Sequence, residues 1–170
     1  MNIYKITLLA LLATLAVVGR IAVNYIPNVQ PVTSVIIISG IFLGPIAGFI
    51  LAFLVTFLSN MILGTGIWTI WQILAWGIIG ILSGLMGKAF KKIPFIVIVI
   101  FSFFSGYLYG IIVSLTNYQV TGQGFIVYYL AGLPFDTYHA IGNAVFMMLL
   151  YPTIAYVFKK YINNHLHTIN

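Results

Sequence analysis

From Val32 to Leu63 the chain carries no charged side chain, and Pro45 is its only proline there. A helix that crosses a membrane needs about 20 apolar residues, so this run is too long for one span and short for two. Gly44-Pro45 divides it, because proline restricts the residue before it and has no N–H to give to the preceding turn. The reading is two helices, Val32 to Leu43 and Ile46 to Leu63. The first is shorter than a standard span and must lie in a thin part of the fold or extend into the preceding loop.

Other apolar runs flank this pair: Ile6 to Ile26, Trp68 to Gly87, Ile96 to Leu115 and Asp136 to Phe158. Between them lie a loop with Pro27, Asn28, Gln30 and Pro31, the turn Gly64-Thr65-Gly66, the basic stretch Lys88 to Pro94, and a long Gly- and Tyr-rich connection from Asn117 to Pro134. Within that connection, Phe125 to Leu130 reads as a short helix or strand lying at the interface. Only 5% of residues are charged, against about 25% in a soluble domain. The expected fold is therefore an all-α integral membrane protein, a compact bundle of six transmembrane helices forming a single domain over residues 1–170. Six spans put Lys5, Lys88, Lys91, Lys92, Lys159 and Lys160 on one side. Short Lys-rich loops stay cytoplasmic, so both termini are expected there, in a multi-pass protein of the bacterial plasma membrane. The first run lacks a small-residue cleavage site and reads as a retained helix.

The same residues exclude several classes. There is no cysteine, hence no disulfide and no thiolate chemistry. The basic residues sit at the ends of apolar runs instead of clustering as they do in nucleic-acid binders. One carboxylate cannot supply a paired acid and base, and HExxH, GxSxG and P-loop patterns are absent from the sequence. The reading is no enzyme, no resident cofactor and no metal site.

What remains is a set of polar residues at one membrane face. Asp136 is the only acid in the chain, and His139 and Asn143 follow at i+3 and i+7 on the same helical face. An ionisable group inside an apolar span is read first as functional; the structural alternative is an Asp136 side chain capping the helix that follows it. Arg20, Asn24, Asn28 and Gln30 come from the first helix and its loop, Asn60 from the end of the third span, and Trp68, Trp71 and Gln72 from the start of the fourth. Asp136, Tyr138, His139 and Asn143 open the sixth. Together they predict an outward cup with Trp68 and Trp71 as apolar walls, Gln72, His139 and Asn143 touching ligand, and Arg20 and Asp136 bracing or gating it. The plainer readings are an interfacial aromatic belt, an Arg20–Asp136 salt bridge and an interhelical hydrogen bond from His139. Ala10, Ala13, Thr14 and Ala16 give the first helix small residues suited to close packing.

Val18-Gly19-Arg20 through Val32-Thr33, then Gly64 to Gln72, then Phe135 to Asn143, resemble the substrate-binding S components of energy-coupling factor (ECF) transporters. The resemblance implies capture of a vitamin at the outer face, with docking through the first helix onto a transmembrane coupling subunit that joins two cytoplasmic ATPases. The family's alanine, three residues, alanine pattern is altered here, since Ala10 pairs at i+4 with Thr14 while Ala13 and Ala16 are three apart. The loop and sixth-helix pattern is most similar to S components associated with cobalamin uptake, where an exposed histidine would suit cobalt. Pyridoxine, hydroxymethylpyrimidine and riboflavin stay open as ligands. A stand-alone secondary transporter and a membrane assembly subunit without ligand stay open as other classes.

Overall fold

A computed structural model describes residues 3–90, 92–122 and 124–165. Lys91 and His167 lie outside them. The described residues form six helices and no strand: α1 (Ile3–Ala22), α2 (Val32–Leu43), α3 (Pro45–Leu63), α4 (Trp68–Ala89), α5 (Phe95–Thr121) and α6 (Phe125–His165). Five of them are long and apolar enough to cross a membrane; α2, with 12 residues, is not.

The short helix is the centre of the bundle. It contacts all five others, and every residue from Gln30 to Gly40 is buried. An α2 cylinder of ~18 Å falls well short of ~30 Å of hydrocarbon. The deficit is filled by residues 28–31, which turn into the bundle while residues 24–27 stay exposed: Val29 lies against Gly142, and Asn28 Nδ2 donates to the Phe135 carbonyl at 2.9 Å. Irregular backbone at membrane depth is tolerated where protein buries it or where it lines a cavity. Asn28 adopts the left-handed conformation at φ 58°, which asparagine tolerates better than most residues.

Gly44 makes the α2–α3 corner possible. Its φ of 93° suits a residue without Cβ, and Pro45 then starts α3 where no N–H partner is needed. The corner packs on α4, and Gly48 meets Gly80 so closely that a Cβ on Gly48 would lie 2.5 Å from the Gly80 carbonyl oxygen. At this end Lys5 and Lys88 border one cavity beside the corner, and Lys92 and Lys159 border another beside Phe42 and Tyr151.

The last two helices depart from expectation. The connection expected over Asn117 to Pro134 is mostly helical: α5 runs on to Thr121, Gly122 closes it in the left-handed conformation, and α6 begins at Phe125. Pro134 lies inside α6, where it removes one N–H yet keeps a helix-compatible φ. At 41 residues α6 is ~62 Å long, about twice the hydrocarbon thickness. The α5–α6 hairpin therefore extends past the ends of the neighbouring helices. Asp136 lies eleven residues past the start of this helix, so it is not an N-cap.

Candidate functional site

The end of the bundle opposite the lysines is held by hydrogen bonds that cross between helices. Arg20, near the end of α1, donates from Nη1 to Ser59 Oγ and to Asn60 Oδ1 on α3, the latter at 3.0 Å. Its guanidinium also lies over the Trp76 ring, 5.1 Å from the centroid. Asn60 Nδ2 donates onward to Gln72 Oε1 at 2.8 Å and to Thr69 Oγ1 at 2.9 Å. Three segments are thereby fixed relative to each other. Arg20 does not pair with Asp136.

A second chain of bonds runs through the centre. Trp76 Nε1–H donates to Thr33 Oγ1 at 3.0 Å, and Thr33 Oγ1 lies 3.2 Å from His139 Nε2. His139 Nδ1 lies 2.9 Å from the Asn28 carbonyl, which can only accept. This assigns the proton to Nδ1 and leaves Nε2 to accept from the Thr33 hydroxyl. His139 is fully buried with both ring nitrogens engaged. Its work is to satisfy the backbone of the inserted loop, a buried carbonyl that would otherwise be stranded.

Between these networks and the α5–α6 hairpin is a cavity of about 390 Å³, lined among others by Asn28, Gln72, Tyr109, Tyr128, Phe135 and Asp136. A smaller lobe of about 230 Å³ is bordered by Arg20, Asn24 and Gln30 and shares Asn28, Gln72, Tyr109 and Phe135 with the first. The cavity beside the lysines is larger, about 590 Å³, but its walls are mainly aliphatic, with Lys5 and Lys88 at its edge. The two-lobed space is the better candidate, because placed polar groups within an apolar wall are what a small-molecule site requires.

The expected cup is thus partly assembled. Arg20, Asn24, Asn28, Gln30, Gln72 and Asp136 line it. Asn60 stands behind, positioning Gln72. Trp68 is exposed and covers Gly66, and neither it nor the half-buried Trp71 borders the space. Tyr138 is exposed and also outside it. His139 and Asn143 lie beneath the floor; the Asn143 carbonyl accepts from Ser34 and Ser102, while neither atom of its buried side-chain amide has a hydrogen-bond partner. His139 and Asn143 are thus placed away from the wall where ligand contact was expected of them, and Asp136, expected to brace or gate the cup, borders the cavity with its Oδ2 buried and without a hydrogen-bond partner among the described residues.

The small-residue surface on α1 is corrected as well. Ala13 and Ala16 are buried, 3% and 0% exposed, and cannot meet a partner protein. Ala10 and Thr14 do face outward, with Thr14 Oγ1 donating to the Ala10 carbonyl. Sequence reasoning missed Tyr109 and Tyr128 as walls. The usable signal was Gly106 and Gly110, four apart: a Cβ on Gly106 would strike the Ala140 backbone, and one on Gly110 would overlap the Asp136 carboxylate. That spacing marks the α5–α6 contact and turns Tyr109, which packs on both Trp76 and His139, into the cavity.

The chain belongs to a family of unknown function, DUF6580, whose model matches residues 2–166. No curated protein and no solved structure matches it.

Proposed function

We propose that this member of the DUF6580 family is a membrane-embedded capture subunit for a small solute at the outer face, working as an S component does, with a transmembrane coupling subunit and two cytoplasmic ATPases. The observation that carries the reading is the two-lobed cavity, an apolar wall with a few placed polar groups, at the end of the bundle opposite the lysines. With Lys-rich loops in the cytoplasm, both termini are cytoplasmic and this cavity opens outward. The larger lobe, at about 390 Å³, lies near the lower end of the usual 300–1,000 Å³ range for ligand pockets. That favours a single-ring vitamin or precursor, such as pyridoxine or hydroxymethylpyrimidine, over a corrinoid, which is several times larger. The sealed His139 also takes away the imidazole that would have met cobalt. On α1 the exposed Ala10–Thr14 side is the surface left for a coupling subunit.

The test is gentle purification of the full chain from its native host, with mass spectrometry of retained small molecules and of co-purifying proteins. A ring-sized solute together with an ATPase module is expected. Retention of no solute, or uptake driven by a proton gradient by this chain alone in liposomes, overturns the reading; the second result makes the protein a secondary transporter.

A further inference from the structure

Asp136 is the only acid in the chain. It is 7% exposed, lines the larger lobe, and its Oδ2 has no hydrogen-bond partner among the described residues. Among the described residues the one cation near this end, Arg20, is turned to Ser59 and Asn60 and borders only the smaller lobe. The lysines that border cavities do so at the opposite end. Among the described residues no cation is paired with this carboxylate, and a buried charge without a partner is strongly unfavourable.

Its surroundings are shaped for such a partner. Gly110 leaves the carboxylate room that any side chain would remove. Tyr109, Tyr128 and Phe135 border the same lobe, and aromatic faces attract cations. No cluster of three or more His, Cys, Asp or Glu is present among the described residues, so a multivalent metal ion has no ligand set here.

We propose that the larger lobe selects an organic cation, a ring-sized solute with one positive charge on a ring nitrogen or amine, held by Asp136 and walled by Tyr109 and Tyr128. This rests on the capture reading above and adds the charge of the solute.

The experiment uses the purified full chain in lipid nanodiscs and matched pairs of probes: N-methylated pyridinium and pyrimidinium ions against their neutral parents. Affinity is read by calorimetry and by tryptophan fluorescence. The charged member should bind more tightly, and Asp136→Asn should weaken it roughly 10- to 150-fold and remove the preference over the neutral parent. Tyr128→Leu, at the wall, should weaken the cation about 2- to 5-fold with the preference kept. The matched pairs on the unmodified chain and Tyr128→Leu keep the test decisive where Asp136→Asn fails to fold. Equal or tighter binding of the neutral parent, an undiminished preference in folded Asp136→Asn, displacement by sodium alone, or no binding of any probe overturns the proposal. A neutral solute found in the purified protein sinks the charge assignment and leaves capture standing; a protein that retains no solute sinks both.

Discussion

Helices α3 and α4 are joined twice, by different means at different depths. Toward the lysine end Gly48 and Gly80 bring them together backbone to backbone, whereas toward the cavity Asn60 reaches across to Gln72. The bonds that cross between segments differ too, although Thr56 and Ser59 in the cavity half also donate within α3. In the lysine half Ser39 and Ser83 donate to carbonyls of their own helices, Val35 and Gly80. In the cavity half Arg20, Asn60, Trp76 and Thr33 bond across segments. Close packing of small residues needs no partner groups and leaves nothing to complete. A network between helices fixes geometry, but each unfilled position is costly. Among the described residues, buried side-chain atoms without a hydrogen-bond partner occur at Asp136, which borders the cavity, at Asn143 beneath it, and at Thr116 on α5. The contrast separates a packed base from a polar end built to be completed.

The sharpest way to break this contrast is Gly80→Leu. The added Cβ alone would lie 2.6 Å from the Gly48 carbonyl oxygen, and backbone cannot move aside as a side chain does. A loss of at least about 3 kcal/mol is expected, at the top of the range for overpacking. Thermal unfolding of the purified protein, followed by tryptophan fluorescence, reads it directly. An unchanged midpoint would mean that α3 and α4 do not meet through bare backbone.

The polar end should respond less, and in two ways at once. Arg20→Ala strands Asn60 Oδ1 and removes a donor from Ser59, which keeps its bond to the Val55 carbonyl, and should cost about 1.5–3 kcal/mol, the range for hydrogen bonds to a charged group. It also frees Asn60, and with it Gln72, so solute affinity should fall with stability. Arg20→Lys should not restore the pair, because an ammonium lacks the planar fork that spans two acceptors. Full rescue by lysine would reduce the arrangement to simple charge.

How far the sequence revealed this follows from the range of the forces. Helix breaks at Gly44-Pro45 and Gly64-Thr65-Gly66 are local, and α2, α3 and α4 start and stop within a residue or two of where those breakers place them. The stretch before Asp136 looked like a loop because Pro134, Gly124 and Gly132 are locally unfavourable. The α5–α6 contact, at Gly106 against Ala140 and Gly110 against Asp136, lets the helix continue regardless. The shared face of Asp136, His139 and Asn143 was legible, but its depth was not. Seven residues down a helix is ~10 Å, enough to carry Asn143 from the cavity wall into the core.

That separation yields the smallest and most discriminating effect. Asp136 and Asn143 both keep side-chain atoms buried without partners on one helix, yet only Asp136 borders the cavity. Asn143→Leu exchanges the enclosed amide for an apolar group of similar shape. Ser34 and Ser102 keep their acceptor, since both bond the backbone carbonyl of residue 143 and not its side chain. Removing a stranded polar group is neutral or stabilising by the size of its desolvation penalty, about 1–3 kcal/mol at most. The unfolding midpoint should therefore hold or rise, and solute affinity should stay unchanged, whereas Asp136→Asn weakens charged solutes. A fall of about 1 kcal/mol or more in Asn143→Leu would show that the amide is satisfied inside the folded protein. A fall in affinity with stability intact would extend the site downward to Asn143 and erase the line drawn between cavity wall and core.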